Sequence, residues 1–146
     1  MVLALPFLFM GAEGVSAGEL STQFVEVTLD QVKIGQSVRL RVPLSITNLG
    51  ANSTRIKVDA VTPAPFELRD GYEAIPDPSW IRFERDTFTV EPNETALTDV
   101  ILDVPYDVAY LGKRYQVIVS SRSIDGMVGI GFRSRVLFSI DAVVEY

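Results

Sequence analysis

Histidine and cysteine are missing from this 146-residue chain altogether. Their absence removes imidazole bases, thiol nucleophiles, zinc sites, haem ligation and iron–sulfur clusters together, and no cofactor is expected. It also removes disulfides, so the fold must be held by its apolar interior alone. Positive charge is scarce: 13 Lys and Arg stand against 19 Asp and Glu, giving a net charge of −6. No cationic run exists to neutralise a row of phosphates, so no nucleic-acid partner is expected. Apolar runs of bilayer length, which need about 20 residues, are lacking too, and no membrane span is expected. No amphipathic helical pattern of any length is present.

Three hydroxyls sit together in Ser120-Ser121-Arg122-Ser123, but nothing nearby in sequence would activate them. They read as hydrogen-bonding groups at a strand end. Asp70, Glu73 and Asp77 fall close in sequence, yet they match no calcium-loop spacing and read as a solvated acidic loop. No catalytic residue and no metal site is assigned, and the chain does not read as an enzyme.

What is present is an ordinary globular balance, 47% hydrophobic and 22% charged, in a length suited to one domain. Residues 1–17 stand apart. The apolar run from Val2 to Met10 is followed by Val15-Ser16-Ala17, a small-x-Ala pattern that predicts a secretory signal peptide cut before Gly18. No Lys or Arg precedes the run. A retained apolar segment would instead need burial, for example as a strand donated to a neighbour. The domain proper is then 18–146, in an extracytoplasmic setting.

Alternation of period two dominates that domain. Val38, Leu40, Val42, Leu44 and Ile46 share one phase, with Arg39, Arg41 and Pro43 on the other. Pro43 predicts an edge or a bulge. Around the only tryptophan, Trp80, the chain reads as two strands closing on a tight turn: Phe88 and Val90, then Glu91-Pro92-Asn93-Glu94, then Ala96 to Val104. Trp80 reads as a core plug. Asp125-Gly126 predicts a hairpin turn, and a long final strand follows from Val128 to Val144. Strand signals with turns every 8–12 residues predict an all-β, antiparallel, immunoglobulin-like β-sandwich of about seven strands without a disulfide.

Ile46-Thr47-Asn48-Leu49-Gly50, Pro78-Ser79-Trp80-Ile81, Phe88 to Glu94, Val100 to Pro105 and Gly112 to Tyr115 follow one another in order. That order resembles the immunoglobulin-like modules of bacterial and archaeal surface proteins, of the WxL-interacting and NEW3-like groups. Asn93 replaces the commoner glycine of the turn, and the segment before Tyr115 is one residue longer than usual. The resemblance implies a non-enzymatic extracytoplasmic module whose motifs encode turns and plugs and specify no ligand.

Candidate contact residues follow from exposure. Thr62 to Pro78 is an unusually long irregular stretch carrying Phe66 and Tyr72, a candidate recognition loop or a flap pinned to the sandwich. Arg39 and Arg41, with Arg133 and Arg135, either guard strand edges or form a basic stripe for an acidic partner. Asn52 and Asn93 begin glycosylation sequons in turns. The expected function is a structural or assembly module contacting other envelope or surface proteins, or its own copies as a fibre by strand exchange. The alternative is a carbohydrate-binding module using Tyr72, Tyr106 or Tyr110 as stacking platforms.

Overall fold

A computed structural model describes residues 14–125 and 130–143. Most of the expected leader, the Gly126 side of the hairpin turn and the last residues of the expected final strand lie outside the described residues. Among the described residues there are thirteen strands: β1 (Val15–Ala17), β2 (Leu20–Thr22), β3 (Glu26–Val32), β4 (Ser37–Arg39), β5 (Leu44–Asn48), β6 (Thr54–Val61), β7 (Glu73–Ala74), β8 (Ile81–Phe83), β9 (Thr87–Val90), β10 (Thr95–Thr98), β11 (Val100–Asp103), β12 (Arg114–Ser123) and β13 (Gly131–Ile140).

They form two layers. The first has the order β3-β13-β12-β6-β9, with β7 beside β12. Its ladders are antiparallel except β3 on β13 and β7 on β12. The second layer runs β1-β2-β5-β10 and continues as β4-β11-β8. Pro43 lies between β4 and β5, and its missing N–H explains why one strand becomes two. Asp99 divides β10 from β11 opposite that break, while the Leu40 N–H still reaches the Val100 carbonyl at 2.9 Å across it. Between β2 and β3 the chain passes from the second layer to the first. Phe24, fully buried, fills that crossing, and the Ser134 hydroxyl donates to its carbonyl at 2.6 Å.

Alternation works as expected in the interior. Val27 and Leu29, Leu44 and Ile46, Ile56 and Val58, Val100 and Leu102, Val117 and Val119, and Val136 and Phe138 are all buried in one cluster. Trp80 is 6% exposed and closes the sandwich, with its ring edge-on to Tyr110 at 4.9 Å and to Tyr115 at 5.9 Å. Aromatic contacts of that geometry add about 0.5–1.5 kcal/mol beyond the area buried.

Two expectations change. The strands flanking Pro92-Asn93 do not pair: β9 joins β6 in the first layer and β10 joins β5 in the second. The turn is a crossing between layers, and Asn93 (φ 64°) anchors it by donating its N–H to the Asn48 carbonyl at 2.6 Å. The final strand ends at Ile140, after a register shift against β3, and stays within the first layer. Between β3 and β12 it is flanked on both edges over its second half. Gly131 marks a close backbone approach. A Cβ there would collide with the Ser121 carbonyl and the Arg122 backbone.

Residues 15–17 pair with 20–22 around a tight turn in which Gly18 has φ 59°. The expected cleavage point therefore lies in the turn between β1 and β2.

Candidate functional site

The outer face of the first layer should be wet, yet Gln116, Ile118 and Leu137 on it are buried. The stretch from Thr62 to Pro78 is laid against this face, bonded to Gln116, Arg133 and Arg135. Pro65 starts a 3₁₀ turn over Pro65–Glu67, because its fixed φ and missing N–H suit a first helical position. Glu67 then fastens the turn. Its carboxylate accepts the Ala64 N–H at 2.8 Å and both guanidinium N–H groups of Arg133 at 2.8 and 2.9 Å. The Glu67 side chain is only 12% exposed. The paired guanidinium, against a smaller opposing effect of burial, holds its carboxyl at about 2 instead of 4.5. The same pairing raises Arg133.

Gln116 is the second fastener. It is fully buried, and both ends of its amide are used. Its Nε2 donates to the Glu67 carbonyl at 2.9 Å, and its Oε1 accepts the Arg69 N–H at 2.8 Å. Arg135 donates to the same Glu67 carbonyl at 3.1 Å, and Arg69 reaches Glu26 at 2.6 Å. Farther along, the Ile75 N–H donates to the Gln116 carbonyl. The loop is thus bolted to β12 and β13 by fully paired polar groups, a network that fixes one conformation.

Phe66 rides on this fastened turn and points away from it, 87% exposed. An exposed aromatic on a mobile loop loses conformational entropy when it is captured. One on a fixed turn has little left to lose, and aromatic anchors of this kind dominate protein interfaces. Tyr72 lies farther along, its ring covered by the Arg114 guanidinium at 4.5 Å.

The four arginines singled out from the sequence do not make one stripe. Arg133 and Arg135 belong to β13 in the first layer and are engaged by Glu67. Arg39 belongs to β4 in the second layer and pairs with Asp99 at 2.5 Å. Arg41 follows it, exposed and without a side-chain partner among the described residues. Asn52 and Asn93 are both exposed. Among the described residues no three carboxylates stand close enough to hold a metal ion. Of the three candidate tyrosine platforms, Tyr72 is stacked by Arg114 and Tyr110 packs against Trp80 and Tyr115. Tyr106 is open, at 67% exposure.

Glu67, Gln116 and Asn48 carry more of this architecture than their sequence setting announced. Asn48 is buried and ties three segments: its amide donates to the Asn52 and Val90 carbonyls and accepts the Gly50 N–H. The one hint in the sequence was a polar residue on an otherwise regular strand.

Comparison with family models and with curated proteins finds no match. Solved structures do resemble the chain. A PapD-like domain of human CEP192 is 10% identical, with a TM-score of 0.58 and 89% of each chain covered. The periplasmic chaperone SfaE is 15% identical, with a TM-score of 0.55, covering 87% of this chain and 59% of the chaperone. A family 123 glycoside hydrolase from Clostridium perfringens is 8% identical, with a TM-score of 0.61, covering 82% of this chain and 24% of the enzyme. At such identities the likeness shows the fold alone: an immunoglobulin-like β-sandwich. The chain spans only part of the hydrolase and of the chaperone. No helix among the described residues is long and apolar enough to cross a membrane.

Proposed function

We propose that this chain is a non-catalytic contact module that docks a protein partner through the Phe66 turn, at the cell envelope or surface. The observation that carries the reading is the pairing of opposites at that turn. Backbone and carboxylate are tied down by Gln116, Arg133 and Arg135, while the phenyl ring is left 87% exposed.

The leader pattern in residues 1–17 and the resemblance to surface modules support the extracytoplasmic setting. The likeness to a periplasmic chaperone is compatible with it. The carbohydrate reading is weaker because, of its three tyrosine platforms, Tyr72 is stacked by Arg114, Tyr110 packs on Trp80, and Tyr106 alone stays largely exposed.

A photo-cross-linking phenylalanine analogue placed at Phe66 tests this in the native host. The expected result is one discrete protein adduct that is absent when the analogue replaces Val108, which is 62% exposed on a different loop. No adduct at Phe66, or the same adducts at both positions, would overturn the reading.

A further inference from the structure

On the opposite layer, the crossing of the chain between β2 and β3 leaves a gap. β2 covers the edge of β5, but no described strand covers the edge of β4. β3, now in the first layer, presents its own free edge nearby. Between the two lies a half-open groove of about 280 Å³, lined by Leu29, Val32 and Val38, by Arg39 and Arg41, and by Asp30, which accepts the Ser139 hydroxyl at 3.2 Å.

The hydrogen-bond parity of β4 fixes what the edge offers. Gln36 accepts from Val104 and Leu40 donates to Val100, so the even-numbered residues turn toward β11. In an antiparallel ladder the odd-numbered residues then direct their backbone groups the other way. The N–H and C=O of Ser37 and Arg39 therefore face the open side, without partners among the described residues. Side chains alternate across the same strand. Val38 is half-buried and turns toward the core, while Arg39 and Arg41 are exposed on the outer face.

We propose that the β4 edge is an acceptor for an extended peptide strand whose residues alternate apolar and acidic, supplied by a partner protein. The backbone of such a strand would complete the ladder at Ser37 and Arg39. Its apolar phase would enter the groove over Leu29, Val32 and Val38. Its acidic phase would lie beside Arg41, which has no carboxylate partner among the described residues, and next to Arg39, which already pairs with Asp99. Charge complementarity selects an acidic partner over a basic one, and strand addition supplies main-chain bonds with alternate side chains for specificity. This surface is separate from the Phe66 turn, and neither proposal depends on the other.

The test uses synthetic peptides of about eight residues, a usual strand length, alternating valine with glutamate or valine with lysine. Binding to the full chain is followed by calorimetry, with amide shifts at residues 37–41 recorded by NMR. The Val/Glu peptide is expected to bind and to shift those amides. Arg41→Glu should weaken it by roughly tenfold and confer binding of the Val/Lys peptide. Arg39→Pro removes an outward N–H while leaving the β11 ladder intact, and should abolish binding with little change in the melting temperature. The proposal is overturned if the Val/Glu peptide does not bind, if it binds Arg41→Glu equally well, or if a central proline in the peptide makes no difference. Concentration-dependent dimerisation lost in Arg39→Pro, without peptide binding, would likewise overturn it in favour of edge pairing between copies.

Discussion

Two 3₁₀ turns in this molecule start alike and end oppositely. Pro65-Phe66-Glu67 and Pro78-Ser79-Trp80 both open on proline, both carry one aromatic ring, and both are held by a carboxylate. In the second, Asp77 caps the turn by accepting the Ser79 N–H at 2.9 Å, which lowers its pKa, and Trp80 sinks into the core. In the first, Glu67 reaches back to the Ala64 N–H and out to Arg133, and Phe66 faces solvent. The ring occupies the third position of one turn and the second position of the other. What decides its fate is the surface beneath. Trp80 finds Tyr110, Tyr115 and Phe138, whereas the Phe66 turn lies over a sheet face already filled by Gln116 and its partners. One turn serves stability and the other presentation.

That contrast can be broken by substitution. Trp80→Ala should cost about 3–5 kcal/mol in denaturant unfolding, the range for emptying a large aromatic site. A loss below about 1 kcal/mol would mean that the indole is not the plug. Gln116→Ala comes next. It strands the Arg69 N–H and leaves the Glu67 carbonyl to Arg135 alone, and should cost about 1–3 kcal/mol while releasing the loop amides to exchange.

Acid sharpens the comparison, because only one of the two carboxylates is largely shielded. The Glu67 carboxyl is depressed from 4.5 to about 2, so its contribution is present above pH 4.5 and lost as pH falls toward 2. The stability difference between the wild type and Glu67→Gln, on the order of 1–3 kcal/mol near neutrality, should shrink across that window in thermal unfolding. A difference independent of pH would remove Glu67 from its assigned role. Smallest of all, Phe66→Ala should change stability by no more than about 0.5 kcal/mol, as for any exposed site, while abolishing the cross-linked contact.

The fold was legible because alternation is a property of neighbouring residues. Val38 to Ile46 and Ala96 to Val104 announced their buried phases without any knowledge of partners. So did Trp80, whose size leaves few places to put it. Partner choice was not legible in the same way. The turn at Pro92-Asn93 looks the same whether it folds a hairpin or crosses between layers, since the bond that decides it comes from Asn48, over forty residues upstream. The loop fasteners were hidden for a similar reason. Glu67 sits among several acidic neighbours, and only the fold places Arg133 opposite it. Gln116 reads as one polar residue on a wet phase until the loop is laid over it. The β4 edge is also invisible in sequence, because its being open among the described residues depends on where the chain takes its other strands.

Amide hydrogen exchange at Arg69 tests the central claim, that the long loop is a fixed platform. Its N–H donates to the buried Gln116 side chain, so it should exchange as slowly as amides in the β12–β13 ladder and become fast in Gln116→Ala. Exchange at the rate of an unstructured peptide in the wild type would show that the loop is free. Phe66 would then be an ordinary exposed side chain on a mobile segment.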